Sequence, residues 1–200
     1  YGNGPITWLS LAFRLIQLPI GLFGVAIGMA NLARVSRDAA AGDRAGLRAN
    51  LSAALRAVAL LALPATAGLV ALREPIIQVI FEHGRFDHAS TENTAAALLC
   101  YALGLYAYAV TKIQVPTFYA LGDTRVPVVA STLAVVSKLA ANGAFVFALP
   151  MLGVNPFLGL ALSTSVAAWT NVGILAWGLR KRAGSIAGHG VLRATLSMVL

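Results

Sequence analysis

Three cationic side chains lie inside long apolar stretches of the sequence. They are Arg14, Lys112 and Lys138, whereas the seven acidic residues all lie in polar links or at the ends of the apolar stretches. Placing one such charge at the centre of a bilayer costs roughly 2.5–3.5 kcal/mol. The sequence therefore predicts one of two arrangements. Either carboxylates elsewhere neutralise these cations, or a water-filled cavity hydrates them and an anionic ligand binds there.

Arg14 belongs to a stripe of polar residues and glycines within the apolar stretch at residues 6–33. The members recur every three or four positions, so they share one face of a helix. They are Thr7, Ser10, Arg14, Gln17, Gly21, Gly24, Gly28 and Asn31. We expect this stripe to face a protein interior or a wet cavity, and the apolar back of the helix to face lipid.

Pro19 and the glycines of the stripe predict where this helix bends and packs. Pro19 removes a backbone donor shortly after Arg14, so we expect a kink there. Gly24 and Gly28 form a G-x-x-x-G pair, which allows a second helix to approach closely. Together with Gly21 these residues are candidate hinge and packing positions.

The candidate ligand-binding residues favour an anion that carries phosphate. A guanidinium suits bidentate contacts with phosphate, and an ammonium acts as a point charge. The candidates are Arg14, Gln17, Lys112, Ser10 and Lys138. Two alternatives remain open, since Arg14 could form a structural ion pair and Lys112, on a face with three tyrosines, could snorkel to the interface. We expect no cofactor and no metal, because the three histidines lie in loops without ligand spacing.

The composition indicates an all-α polytopic membrane protein. Hydrophobic residues make up 58% of the chain and charged residues 11%, which argues against a soluble domain. We expect five complete transmembrane helices, at residues 6–33, 57–72, 93–121, 128–149 and 157–179, and a truncated sixth from Val191. Residues 43–56 resemble an amphipathic helix lying on the membrane surface, and the second span could extend to Phe81. Asp87 or Ser90 is the expected N-cap of the third span.

The division of the chain follows from these segments. Residues 1–182 form a transmembrane bundle, and residues 183–200 form a linker and the start of a further helix. Because the sequence has no initiator Met and its last apolar segment is too short to cross a bilayer, we expect a fragment of a longer protein.

The net charge of +8 is explained by topology, and no nucleic-acid partner is expected. On one side of the predicted membrane the links carry ten Lys and Arg residues, and on the other side they carry Arg73 and Arg85. The positive-inside rule places the richer side in the cytoplasm. The first span then runs from outside to inside.

Several segments, in order, resemble the MurJ (MviN) family of lipid II flippases. Residues 14–26, RLIQLPIGLFGVA, resemble the family pattern R-L-x-x-x-P-x-G-x-x-G-V-A. The similar segments that follow are LALP at 61–64, FEHGRFD at 81–87, YALGL at 101–105, Lys112, FYA at 118–120 and DTRVP at 123–127. Their shared order covers nearly the whole chain.

This resemblance implies a fold and a task. The family belongs to the multidrug/oligosaccharidyl-lipid/polysaccharide exporter superfamily, with fourteen helices in two six-helix lobes plus two more. The chain would be most of the second lobe, and the N-terminal lobe would be its partner. It would move a lipid-linked peptidoglycan precursor, an anionic polyprenyl diphosphate, across the bacterial inner membrane. Arg14 would grip the diphosphate in a central cavity. Family members often carry acids at the positions of Phe13 and Gln17, and this chain has none there.

Two further functions remain open at the sequence level. The first is another exporter of the same superfamily, for a different polyprenyl-diphosphate glycan or for drugs. Drug exporters move cations and need intramembrane acids, which disfavours that form. The second is a non-transporting membrane scaffold, in which Arg14 only pairs with a neighbouring helix. Of these functions we expect the flippase, which is a transporter and not an enzyme.

Overall fold

The computed structural model describes residues 4–84, 86–151, 153 and 155–183, which form helices joined by short links. In chain order these are α1 (Pro5–Pro19), a π-helical segment (Ile20–Val25), α2 (Ala26–Ala40), α3 (Arg44–Ala71), α4 (Arg73–Phe81), α5 (His88–Ala120), α6 (Arg125–Met151) and α7 (Phe157–Ala183). Five stretches are long and apolar enough to span a membrane, with α1 through α2 forming one of 36 residues. The predicted five-span, all-α architecture is confirmed. The predicted sixth helix lies outside the described residues.

Helix α5 is the centre of the bundle. It packs against α1, the π segment, α2, α3, α4 and α7, whereas α6 packs mainly on α7. Small side chains on α5, such as Ala97, Ala102 and Ala109, are fully buried and let the neighbouring helices approach closely. Asp87 is its N-cap, as predicted, because its Oδ1 accepts a hydrogen bond of 2.9 Å from the Ser90 amide.

The structure corrects the prediction of a separate surface helix at residues 43–56. That segment is the first half of the single helix α3, and Leu47, Leu51 and Val58 form one buried stripe along it. No glycine or proline interrupts the chain between Arg48 and Leu63, so the helix continues into the span. Leu47 packs beside Val35 of α2 in a small buried cluster.

The suggested extension of the second span to Phe81 is also wrong. A turn at Leu72 separates α3 from α4. Pro75 explains the break, because its ring nitrogen cannot donate to the carbonyl of Ala71 and its ring would clash with that carbonyl. The second span therefore ends at Ala71 and α4 is an independent short helix.

Candidate functional site

The first half of the polar stripe lies on an open face of α1. Ser10, Arg14 and Gln17 are exposed, while Leu11, Leu15 and Ile16 on the other side are buried in the core. The expectation that the apolar back of this helix faces lipid therefore does not hold for these three side chains. Those side chains have α5 and the rest of the bundle to pack against, and burying them there removes their apolar surface from any solvent.

Arg14 has no partner within the described part of the chain. Its guanidinium makes no ion pair or hydrogen bond with any of those residues. The nearest polar members of the stripe, Ser10 and Gln17, lie one turn before and one turn after it and are also exposed. The three side chains thus present a positive charge, a hydroxyl and an amide on one open surface.

The second half of the stripe has different surroundings, because Gly24, Gly28 and Asn31 are buried. A Cβ atom at Gly24 would lie 3.2 Å from the Cα of Ala109 in α5, and one at Gly28 would collide with the carbonyl oxygen of Lys112. These glycines permit the closest approach between the first span and α5. The π segment begins directly after Pro19, where a kink was predicted.

Lys112 lies at this close approach, with its side chain exposed. Its Cγ is 3.4 Å from the position that a Cβ of Gly24 would take, so its aliphatic stem lies over the buried half of the stripe. The exposed residues Ser10, Arg14, Gln17, Gly21 and Lys112 are together called the cationic face below.

The tyrosines predicted to accompany Lys112 do not surround it. Tyr101 is buried, and its ring meets Phe13 edge-on with the ring centroids 5.4 Å apart. Tyr108 donates a hydrogen bond of 3.3 Å from its hydroxyl to the backbone carbonyl of Thr164 in α7. The shared face on α5 exists, but its parts are covered by different helices, and only Lys112 and Tyr119 are exposed.

Lys138 lies in a separate groove between α5, α6 and α7. The groove has a volume of about 260 Å³, and its polar lining consists of Tyr108, Ser131, Lys138, Thr164 and Asn171. The Asn171 Oδ1 is buried and accepts no hydrogen bond from any described residue. Lys138 has no ion-pair partner in the described ranges either. The groove therefore offers both a cation and an unused acceptor.

Sequence reasoning missed two features of this arrangement. Thr164 and Asn171 are seven residues apart on α7, a spacing that places them on one face and signals the polar wall of the Lys138 groove. Asp123, treated only as a loop residue, is buried and accepts from the amides of Arg125 and Val126 at the start of α6. Its other oxygen lies 2.8 Å from the Arg182 guanidinium at the end of α7. No local pattern joins residues 59 positions apart.

The arrangement offers cations that can bind an anion. Intramembrane cations without carboxylate partners attract phosphate oxygens strongly where water is scarce. No group of three or more His, Cys, Asp or Glu residues in the described ranges could hold a metal ion. The described acids at the span ends are engaged locally, as Asp43, Asp87 and Asp123 each accept from backbone amides at a helix start.

Comparisons with known proteins agree with this geometry. A family model described as lipid II flippase MurJ matches residues 2–200. The chain is 35% identical over 199 residues to a lipid II flippase MurJ of Burkholderia cenocepacia, covering 99% of the chain and 37% of the relative. It is 33% identical over 177 residues to a probable lipid II flippase MurJ of Vibrio cholerae, covering 88% and 33% respectively.

A solved structure shares the fold. It is a lipid II flippase MurJ in an inward closed conformation, with a TM-score of 0.79 and 28% identity. The match covers 100% of the chain and 40% of that structure. The chain thus spans about a third of the length of the curated relatives that it matches.

Proposed function

The chain belongs to the lipid II flippase MurJ family, and we propose that it forms part of a bacterial inner-membrane flippase for lipid II. In this proposal the cationic face binds the diphosphate of the lipid-linked precursor. Residues 1–182 act as most of the second lobe. An N-terminal lobe completes the cavity, and the protein transports its substrate without breaking a bond.

The observation that carries the proposal is the exposed guanidinium of Arg14, which has no partner among the described residues. Arg14 lies within the first third of a stretch, Pro5–Ala40, that is long and apolar enough to cross a membrane. An arginine inside the bilayer is costly unless water or an anion reaches it. Ser10 and Gln17 on the same open face can donate to the remaining phosphate oxygens. A diphosphate with two negative groups matches this set of donors.

The proposed transport mechanism depends on a difference in affinity for the substrate headgroup between two conformations of the protein. A flippase moves its substrate when inward-open and outward-open states bind the headgroup in turn, and only contacts that differ between the states shift that equilibrium. Helix α1 carries Arg14, and the π segment after Pro19 is a site where backbone hydrogen bonding is already irregular. We expect α1 to bend there relative to α2, with Gly21 free of neighbours and Gly24 and Gly28 anchored on α5.

The two lysines have different parts in the proposal. Lys112, on the cationic face, contacts the outer phosphate or the sugar next to it. Lys138, in its own groove with Tyr108 and Asn171, contacts the substrate after α6 and α7 have moved relative to α5. Both roles depend on a compact ammonium charge at the end of a long, flexible side chain.

A complementation and transport experiment tests the proposal. A full-length protein that carries this chain is compared with its Arg14→Ala and Arg14→Lys variants, and Arg37→Ala, an exposed arginine at the end of α2, is the control. Losing a charge-assisted contact costs about 1.5–3 kcal/mol, so Arg14→Ala should lower transport roughly 10- to 100-fold. Arg14→Lys should recover it only in part, because lysine cannot form the bidentate contact. Full activity of Arg14→Ala would favour a scaffold.

A further inference from the structure

A second basic site lies at the opposite end of the bundle, where α3 begins and α7 ends. A cavity of about 420 Å³ is lined by Arg44, Lys181 and Arg182, with Leu47 and Leu121 as its apolar walls. The predicted topology places this end in the cytoplasm. Arg14 lies far from it, because the chain passes through the rest of α1, the π segment and α2 before it reaches this end.

Two of the cations at this cavity form no ion pair with a described acid. Asp123 is buried and already serves the amide of Arg125 and the guanidinium of Arg182. Asp43 uses its Oδ1 to cap the first turn of α3. Arg44 and Lys181 form no ion pair with any described carboxylate. Arg44 and Lys181 are therefore available to an anionic ligand, beside the Arg182 guanidinium that Asp123 holds in place.

An apolar groove continues from the same two residues of α7. It has a volume of about 280 Å³ and shares Lys181 and Arg182 with the basic cavity. Its walls between α6 and α7 are Val126, Val129, Ile174 and Trp177, and Arg125 lies at its edge. The Lys181 ammonium lies 3.8 Å from the centre of the Trp177 ring, which fixes it at the boundary between cavity and groove.

We propose that the two spaces bind one anionic glycerophospholipid of the cytoplasmic leaflet. The phosphate lies in the basic cavity between Arg44 and Lys181, and an acyl chain lies in the groove between α6 and α7. Basic pockets between transmembrane helices at the cytoplasmic face suit such headgroups. The adjoining apolar groove favours a lipid over a free phosphate, since a soluble anion would leave that groove unfilled.

The site also explains why the ion pair between Asp123 and Arg182 matters. That pair joins the α5–α6 link to the end of α7 and so keeps the walls of both spaces together. A bound lipid would add a bridge from α3 to the same place through Arg44. The lipid would therefore stabilise this end of the bundle without touching the Arg14 site.

Lipid retention by the full-length protein tests the proposal. The purified protein is titrated with phosphatidylglycerol or phosphatidylcholine, and bound lipid is counted by native mass spectrometry. We compare Arg44→Gln/Lys181→Gln with the matched pair Arg34→Gln/Arg37→Gln, which removes two exposed charges near the same end. Each Lys or Arg contributes about 1 kcal/mol, so the first pair should weaken phosphatidylglycerol binding roughly tenfold or more, and the second less than about threefold.

Two further measurements distinguish a bound lipid from free phosphate and show whether a loss of binding is caused by misfolding. Val129→Trp fills the groove from an exposed position, so it should weaken lipid binding and leave the melting temperature unchanged. Inorganic phosphate at millimolar concentration should not displace the lipid. Equal losses for both charge pairs, equal binding of phosphatidylcholine, displacement by phosphate, or full binding by Val129→Trp would each overturn the proposal.

Discussion

The polar stripe of the first span has two halves with opposite surroundings. Ser10, Arg14, Gln17 and Gly21 are open, whereas Gly24, Gly28 and Asn31 are buried. Both halves obey the same three-or-four spacing in the sequence. The π segment, which contains Gly21 and Gly24, has a wider turn than an α-helix, so residues after it no longer project at the angle that the spacing assumes.

Because both halves have the same spacing, only the types of their residues distinguish the buried half from the exposed half. In the packed half, Gly24 and Gly28 lie directly opposite the backbone of α5, where a Cβ atom would be crowded. In the open half, no described residue pairs with Arg14. Close packing therefore accounts for these two glycines, whereas the proposed ligand would account for the arginine.

Among the variants that test the difference between the two halves, we expect the largest effect at Lys112, which lies beside Gly24 and Gly28. Lys112→Met keeps the aliphatic stem over Gly24 but removes the charge, so transport should fall roughly tenfold, as expected for one lost charge-assisted hydrogen bond. The measurement is lipid II transport in proteoliposomes, with thermal stability as a check. Arg37→Met, at an exposed cation outside the proposed site, serves as the control. Unchanged transport in Lys112→Met would remove Lys112 from the proposed site.

A pair of glycine substitutions tests the two halves directly. Gly28→Ala would force a methyl group against the Lys112 carbonyl, and overpacking of this kind costs about 1–3 kcal/mol. Gly21→Ala has nothing within 4 Å and should be neutral or stabilising by up to about 1 kcal/mol. Melting temperatures of the two variants in detergent give the comparison. Equal destabilisation by both would mean that the halves do not differ in packing.

Gln17→Ala should have a smaller effect, on function only. The amide is exposed and makes no hydrogen bond with a described residue, so its removal should not lower stability. A lost neutral hydrogen bond to the substrate is worth about 0.5–1.5 kcal/mol, which corresponds to roughly two- to tenfold in affinity. Substrate titration measures this, with Ala33→Ser at an exposed site as the control. A fall in melting temperature instead would show that Gln17 is structural.

The smallest effect is expected for Asp87, a carboxylate outside the membrane-spanning helices that accepts a hydrogen bond from the Ser90 amide. Hydrogen bonds from Ser90 lower the pKa of the Asp87 carboxyl below its usual value. Its contribution to stability is present above the ordinary carboxyl pKa and is lost as the pH falls through the lowered value. Protection of the first-turn amides of α5 from hydrogen exchange, measured relative to their intrinsic rates, should therefore fall at acidic pH. Asp87→Asn keeps a cap but does not titrate, so it should flatten that dependence.

The sequence predicted the parts of this molecule that depend on local chemistry. The five spans, the Asp87 cap and the cations within the spans follow from hydropathy, capping preference and the positions of the charges. The continuity of α3 was missed because its first half is amphipathic and resembles an interfacial helix until Leu47 is seen beside Val35. That contact joins residues of different helices and leaves no local signal.

The candidate site also has one part that the sequence predicted and another part that depends on tertiary packing. That Ser10, Arg14 and Gln17 share a face follows from spacing, and the structure places them together on an open surface. The separation of Lys112 from Tyr101 and Tyr108 depends on which helices cover α5, and this is a property of the packed bundle. The pairing of Asp123 with Arg182 depends on tertiary structure for the same reason.

Thiol accessibility with and without substrate tests the central claim most directly. Single cysteines replace Gln17 in the open half or Asn31 in the packed half, in a Cys100→Ala background of the full-length protein in proteoliposomes. A membrane-impermeant thiol reagent should label position 17 and not position 31, and lipid II should protect position 17. If position 17 resists the reagent, or reacts equally with lipid II present, the open face does not line a wet cavity that binds the diphosphate.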